Sequence, residues 1–185
     1  MNVQIKDSAA FERNQHGHIV VTMTGFDLTG LQEVQRLETT DVYVMAHTKS
    51  CLVSRLADSY NANHRLETGE IYKVAFMPGR EIKDDAERTT RKLWKRGIRK
   101  YGYSKPIAGI IPRMMSHSIP IREVAETASG FWYASIICLH DPLQDYTGDP
   151  CFLGVECYNN WLRAYSAEPQ NKWVSCSLFA FLVPD

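Results

Sequence analysis

The most strand-like run of the chain is GFWYASIICLH (130–140), in which aromatic and β-branched residues are frequent. It contains no aspartate, glutamate, lysine or arginine. Such residues favour strands because their side chains pack well on a pleated, half-buried surface. The acidic loop DPLQDYTGDP (141–150) follows. Further strands are predicted at 151–157 and 173–182, around a short helix at 160–165. The C-terminal part of the chain is therefore predicted to be mainly sheet.

Towards the N-terminus, predicted strands alternate with predicted helices. HIVVTMTGF (18–26), DVYVMAH (41–47) and EIYKVAF (70–76) have the composition and alternation of strands. One helix is predicted from Asp27 or Thr29 to Leu37, with Leu28, Leu31, Val34 and Leu37 on one stripe, and a second from Ser50 to Tyr60. Prolines at 106, 112 and 120 predict a connector over 106–122.

This order of elements predicts an α+β fold. We expect a single domain over residues 1–185 with a mainly antiparallel sheet, an N-terminal half of ferredoxin-like type and one exposed basic amphipathic helix. A division into sub-lobes 1–83 and 84–185 is the alternative.

The composition is that of an ordinary globular protein, with 44% hydrophobic and 23% charged residues in a chain of 185. No uninterrupted apolar run approaches the ~18–20 residues that a membrane-spanning helix needs. The first residues also lack the apolar segment of a secretory signal. Five cysteines without a CxxC pair predict free thiols in a reducing compartment. We therefore expect a cytoplasmic protein that has no membrane partner.

The formal net charge of zero conceals a strong asymmetry. Residues 88–105 contain basic side chains and no acid, whereas acids outnumber bases in residues 124–185, whose only lysine and arginine are Lys172 and Arg163. A neutral molecule with this distribution has a directional electrostatic field.

The basic segment TTRKLWKRGIRKYGYSK (89–105) has the pattern of an amphipathic helix that begins near Asp84 and Asp85. At 100° per residue, Leu93 and Trp94 fall on the apolar side and are predicted to anchor the helix to the core. The opposite arc carries seven cations without an interleaved acid: Arg88, Arg91, Lys92, Lys95, Arg96, Arg99 and Lys100.

Like charges at helical spacing repel one another, so this face predicts an anionic partner. Three partners are consistent with the pattern: a nucleic acid, an acidic protein surface, and the acidic C-terminal third of the same chain.

VAFMPGREIKDDAERTTRKLWKR (74–96) resembles the strand and arginine-rich helix of the CRISPR repeat-processing endoribonucleases of the I-F type. IPIREVAETASGFWYASIICLHDPLQ (119–144) resembles the segment that follows in that family. Together these stretches cover about a third of the chain. The resemblance implies that the helix lies in the groove of an RNA hairpin. The family's catalytic histidine has no counterpart in the first predicted helix, LTGLQEVQRLE. The resemblance therefore implies RNA binding more strongly than RNA cleavage.

Two histidines are candidate general bases. His47 lies in AHTKSC (46–51), where a predicted strand passes into a helix and backbone N–H groups favour anions. A polar loop with Thr48 or Ser50 as a helix cap is the alternative. His18 is the second candidate, in an HxH pair with His16; a surface histidine pair is the alternative.

Tyr133 is a candidate for stacking on a base, and core packing is its alternative. The aspartates of 141–149 lack the order of a calcium loop, and neither they nor the cysteines complete a metal site. No cofactor is predicted.

The sequence therefore predicts an RNA-binding protein that uses a basic helix face, and further a metal-independent endoribonuclease acting on structured RNA. In that mechanism His47 or His18 would activate a 2′-hydroxyl. The alternative is a non-enzymatic protein-binding module, such as an inhibitor or accessory factor of a phage or mobile element. A third hypothesis is a small-molecule enzyme built around AHTKS (46–50).

Overall fold

The computed structural model describes residues 11–115, 119–132 and 134–184. Tyr133, the predicted stacking residue, lies outside the described residues. The strands are β1 (Glu12–Arg13), β2 (Ile19–Thr24), β3 (Tyr43–Val44), β4 (Ile71–Pro78), β5 (Ser135–Cys138), β6 (Leu143–Gln144), β7 (Pro150–Glu156), β8 (Trp161–Ser166) and β9 (Leu178–Leu182). The helices are α1 (Gly30–Glu38), α2 (Ala46–Val53), α3 (Tyr60–Asn63), α4 (Thr90–Lys95), α5 (Ile110–Met114) and α6 (Ile121–Ser129). A π-helical turn, Arg96–Lys100, continues α4.

The strands form one sheet in the order β1-β2-β4-β9-β5-β7-β8-β3, with β6 paired to β7. The pairs β5–β9 and β3–β8 are parallel and the other pairs are antiparallel. The predicted α+β fold with a mainly antiparallel sheet is confirmed.

The ferredoxin-like arrangement of the N-terminal half is not confirmed, because β3 lies at the opposite edge of the sheet from β2 and pairs with β8. Strands from both halves of the chain meet in the sheet centre, where β4 pairs with β9. The two predicted sub-lobes therefore share one sheet.

The sheet separates two apolar layers, as alternating residues of β4 show. Val74 and Phe76 belong to the larger layer, which includes the buried residues of α1, α2, α5 and α6. Ala75 and Met77 belong to the smaller layer, which includes Leu93 of α4. We call the two sides of the sheet the large-core face and the small-core face.

Helix α1 begins where the sequence predicts, because Thr29 and Gln32 form a reciprocal capping box that satisfies two backbone N–H groups. Gly30 is required there, since a Cβ atom would lie 1.8 Å from the carbonyl oxygen of Leu52. Leu31, predicted on the apolar stripe, is exposed instead, and Gly30 takes its place against α2.

The helix predicted at 160–165 is wrong, because these residues form β8 in a hairpin with β7. Asn160 has a φ of 57° in the turn, a conformation that asparagine tolerates better than most residues. Four of the five cysteines are buried, Cys176 is half-buried, and all five are free thiols. Among the described residues, none of the helices is long and apolar enough to cross a bilayer.

Candidate nucleic-acid interface

The basic segment forms a shorter helix than the sequence predicts. A 3₁₀ turn at Asp85–Glu87 precedes it, and α4 begins only at Thr90. Between them the backbone pairs with a distant loop: Thr89 forms a bridge with Lys172, and the N–H of Thr90 donates to the carbonyl oxygen of Asn171 at 3.1 Å. These contacts satisfy backbone groups that a continuous helix would have satisfied internally.

Arg88 does not lie on the exposed cationic face, and this prediction is wrong. Its side chain is 5% exposed, donates to the carbonyl oxygens of Ile82 at 2.6 Å and Trp173 at 3.0 Å, and is ion-paired with Asp85. The helical periodicity used for the prediction does not apply to Arg88, because it lies outside the helix with φ −89° and ψ 43°. Arg88 instead joins the 3₁₀ turn to the loop at Trp173.

Three residues hold the basic segment on the small-core face. Leu93 is fully buried, as predicted. Trp94 is half-buried, and its indole N–H donates to the carbonyl oxygen of Leu139. Gly97 lies so close to Phe181 that a Cβ atom would be 2.4 Å from the ring. The π-helical turn thus falls at this close approach of the chain to the sheet. Such turns are rare in proteins, and those that occur are often found at functional sites.

The remaining cations of the predicted face are accessible. Arg91, Lys92, Lys95, Arg99 and Lys100 are exposed, and Arg96 is half-buried. A groove of about 360 Å³ runs along this surface, and we call it the basic groove; it is lined by Glu87, Lys92, Lys95, Arg96, Arg99 and Lys100.

Few of these charges are neutralised by the protein itself. Lys92 pairs with Glu87, within the same segment. Among the described residues, no carboxylate lies within ion-pair distance of Arg91, Lys95, Arg99 or Lys100. Of the described cations in residues 88–105, only Lys105, outside the groove, is ion-paired with an acid of the C-terminal third, Asp141 at 2.5 Å. In the described part of the chain, the acidic third therefore does not neutralise the basic groove.

His18 lies next to the basic groove, on the small-core face. Its Nε2 is 2.7 Å from Oε1 of Glu81, and its Nδ1 is 2.6 Å from the hydroxyl of Tyr103. The hydroxyl of Tyr101 donates to the other oxygen of Glu81 at 2.7 Å. The ammonium of Lys100 lies 4.9 Å from the centre of the Tyr101 ring, which connects this cluster to the groove.

The cluster favours the ionised form of Glu81. Burial alone would raise the pKa of Glu81, but hydrogen bonds from His18 and Tyr101 and the charge of Arg96 lower it below the ordinary value. With Glu81 ionised, its two oxygens accept from Nε2 of His18 and from the hydroxyl of Tyr101, and Nδ1 of His18 is hydrogen-bonded to the hydroxyl of Tyr103. Both nitrogens of His18 are thus engaged, and the residue is only 2% exposed. In this arrangement His18 can orient its neighbours but cannot itself reach a substrate proton.

His16 is the accessible histidine of this cluster, and its position beside the groove was not predicted from the sequence. Its ring is half-buried, lies 5.0 Å from the ring of Tyr101, and has Nε2 at 3.2 Å from the Tyr101 carbonyl oxygen. The HxH pattern was a signal for it, because Gly17, in a turn with φ 79°, brings both rings against Tyr101.

His47 lies on the other side of the sheet from the basic groove. It belongs to α2, whose buried residues Cys51 and Leu52 pack in the large-core layer. Its Nε2 is 3.1 Å from Oδ2 of Asp145. The two predicted parts of a ribonuclease site, His47 and the cations, are therefore not brought together.

The segment AHTKSC is also not an anion-binding loop. It is helical throughout, and Thr48 and Ser50 donate to the carbonyl oxygens of Leu162 and His47 instead of capping the helix. Asp145 accepts hydrogen bonds from the hydroxyl and N–H of Thr147, which lower its pKa to about 2. This carboxylate stabilises its own loop.

The described residues contain no group of three or more histidine, cysteine, aspartate or glutamate side chains placed to hold a metal ion. No model of a known protein family matches the chain, and no curated protein or solved structure matches it either.

Proposed function

We propose that the protein binds RNA through the basic groove. The observation that carries this proposal is a set of four exposed cations without a carboxylate partner among the described residues: Lys95, Arg99 and Lys100, which line the groove, and Arg91 of the same helix. Like charges this close repel one another, and a row of phosphates removes that repulsion while releasing counterions.

Two further features favour an RNA ligand. The half-buried Tyr101 contacts Lys100 at one end of the groove and can offer an aromatic surface to an unpaired base. Arg96 also lines the groove, and its guanidinium lies 5.9 Å from the centre of the Tyr101 ring. Structured RNA is recognised largely through backbone and shape, which suits a groove lined by cations rather than by base-reading amides.

The direct test compares binding of a hairpin RNA and of a DNA duplex of equal length, measured by filter binding at low salt. We expect the hairpin to bind more tightly. Lys95→Glu should weaken RNA binding at least ~10-fold, since it replaces an attraction by a repulsion. Arg55→Glu is the matched control, because Arg55 is an exposed cation near the end of α2, on the other side of the sheet.

Two results would contradict RNA binding by the groove. One is equal weakening by both reversals, and the other is an affinity weaker than ~100 μM for wild type even at low salt. An acidic protein surface would then become the favoured partner of the basic groove, as in the protein-binding module considered above.

Metal-independent cleavage is a second candidate function, and the accessible ring of His16 beside Tyr101 favours it. His16 would take the proton of a 2′-hydroxyl while the 2′-oxygen bonds to phosphorus and the bond to the 5′-oxygen breaks. Water would supply the proton to that leaving oxygen, so the products would be a 2′,3′-cyclic phosphate and a 5′-hydroxyl. Exposed cations of the groove would stabilise the charge that develops on the phosphorane.

Cleavage should persist in EDTA, fall at least ~10²-fold in His16→Ala, and be unchanged in His47→Ala, which serves as the control. Cleavage that requires a divalent ion, or that depends on His47, would exclude this mechanism.

A further inference from the structure

A second concave site lies in the molecule and shares no residue with the basic groove. It is a cleft of about 650 Å³ whose walls include Lys105, Ile107, Asp141 and Gln144. Small-molecule sites commonly have volumes of about 300–1,000 Å³, so the cleft is large enough for a ligand of nucleoside size.

His64 gives this cleft a fixed hydrogen-bond donor. The residue is 4% exposed, and its Nδ1 accepts the N–H of Ala108 at 3.3 Å. The proton of the neutral ring is therefore on Nε2. His64 lines the cleft, and no described residue accepts a hydrogen bond from Nε2. Nε2 is not one of the fully buried atoms that lack a partner, so it is open to the cleft, where the acceptor of a ligand can reach it.

The orientation of His64 is built into the structure. Its ring packs edge-on against that of His140 at 5.1 Å, and its carbonyl oxygen accepts the N–H of Gly109. His140 is fully buried, donates from Nδ1 to the carbonyl oxygen of Asp141, and accepts the N–H of Leu153 at Nε2. Burial also lowers the pKa of His64, which keeps its ring neutral. The donor is thus held in place by the hydrogen bond from Ala108 and by the packing of the His140 ring.

The charges of the cleft disfavour an anionic ligand. Asp58 is exposed and has no ion-pair partner among the described residues. Asp141 is paired with Lys105, whose ammonium also lies 4.5 Å above the ring of Trp94. With His64 neutral, the cleft carries one uncompensated negative charge.

A complementary ligand must therefore be neutral or cationic. It must present an acceptor to His64 and donors to Asp58. The amides of Asn63 and Gln144 can meet either kind of group. Prolyl rings and Ile107 supply apolar walls that can contact the faces of a flat ring.

We propose that this cleft binds a nucleobase, whose edge carries donors and acceptors side by side and whose faces are apolar. The base can belong to a free nucleoside or to an unstacked position of an RNA held elsewhere on the protein. The first source does not depend on the RNA binding proposed above, whereas the second does.

The test is an NMR titration of the full-length protein with adenosine, guanosine, cytidine and uridine, following the side-chain resonances of His64. At least one nucleoside should bind with a Kd below ~1 mM and shift these resonances. The corresponding 5′-monophosphate should bind more weakly, because of the uncompensated charge of Asp58. Glucosamine, which has donors and acceptors but no flat ring, should bind more weakly than the nucleoside.

Two variants test the assignment of the contacts. Asp58→Asn, at an exposed position that should not disturb folding, and His64→Phe, which keeps the ring shape, should each weaken nucleoside binding ~10-fold or more. Asp41→Asn is the control, since Asp41 is an exposed carboxylate outside the cleft. The proposal is wrong if no nucleoside binds with a Kd below ~1 mM, if Asp58→Asn binds as wild type does, or if glucosamine or the monophosphate binds as tightly as the nucleoside.

A hairpin RNA carrying 2-aminopurine in its loop distinguishes the two sources. A rise in fluorescence on binding that is lost in Asp58→Asn, while RNA affinity stays near wild type, identifies a base of the bound RNA. Nucleoside binding without any RNA binding would support the cleft and overturn the function proposed for the basic groove. RNA binding without occupation of the cleft by a nucleoside or a loop base would overturn only the proposal that the cleft binds a nucleobase.

Discussion

Arg88 and Arg91 are three residues apart, and their environments are opposite. Arg88 is buried with two carbonyl acceptors and a carboxylate, whereas Arg91 is exposed without a carboxylate partner in the described part of the chain. Sequence alone does not distinguish them, because both fit the same helical arc. The difference arises from the contact of residues 88–91 with the loop at 169–173, which is distant in the sequence.

This difference predicts opposite effects of truncation. Arg88→Ala should lower the free energy of unfolding by about 2–4 kcal/mol, because hydrogen bonds from a charged donor are lost in a buried setting. Arg91→Ala should change it by less than ~0.5 kcal/mol but should weaken RNA binding. Urea unfolding measures the first quantity. Equal stability of the two variants would contradict the buried role of Arg88.

His140 predicts a dependence of stability on pH. Burial lowers its pKa from 6.5 to about 3, so the folded protein keeps the ring neutral while the unfolded chain is protonated below pH 6.5. The contribution to stability is complete above pH 6.5 and is lost progressively as the pH falls towards 3. One such histidine contributes a slope of up to about 1.4 kcal/mol per pH unit in this window.

The measurement is urea unfolding at several pH values between these limits. His140→Gln should remove the contribution of one titrating group from the slope of stability against pH, because glutamine does not titrate. Its amide oxygen can still accept the N–H of Leu153. Asp145, whose pKa is lowered from 3.8 to about 2, contributes mainly below pH 3.8, so the slope above about pH 4 is the part to compare. An unchanged slope in His140→Gln would show that His140 is not held neutral by the fold.

At the scale of elements, the basic segment owes its position to the contact of Gly97 with Phe181. Gly97→Ala should destabilise the protein by about 1–3 kcal/mol, because the added methyl group overlaps the ring. Phe181→Leu in the same chain should recover part of this loss by making room. Thermal unfolding of the single and double variants gives the coupling between the two sites. Purely additive effects would contradict the close approach.

Local patterns predicted the elements that carry their own signals. The β-branched run before Gly25 became β2, the capping residues Thr29 and Gln32 fixed the start of α1, and the alternating residues of EIYKVAF became β4. These signals are contained within a few neighbouring residues. Helix α6 was missed, because the prolines at 112 and 120 predicted a connector although Pro120 only precedes the helix.

Pairing between distant strands could not be predicted in the same way. The alternation of Trp161, Arg163 and Tyr165 was compatible with a short helix until β7 provided a partner. Similarly, β3 has only two residues, and nothing within them indicates that they pair with β8 at the far edge of the sheet. The same holds for the candidate site. The sequence pattern predicts the cations, whereas the approach of His16 and His18 to Tyr101 depends on the tertiary fold.

At the scale of the whole molecule, the sheet divides the chemistry between its faces. The basic groove and the cluster of Glu81, Tyr101 and His18 lie on the small-core face, and His47 lies on α2 at the large-core face. This division explains why the two histidines proposed from the sequence are not equivalent. It also places the four uncompensated cations of the basic segment on one side of the sheet, in a chain whose formal net charge is zero.

The salt dependence of RNA binding tests the role of the basic groove most directly. Four uncompensated cations, each neutralising one phosphate of a single strand, predict a slope of log affinity against log salt of about −2.8, at roughly −0.7 per contact. Reversing three of them, in Arg91→Glu/Lys95→Glu/Arg99→Glu, should abolish binding or reduce the slope to about −0.7 while leaving thermal stability nearly unchanged. A triple variant that binds RNA with the wild-type affinity and slope would show that the groove is not the RNA-binding surface.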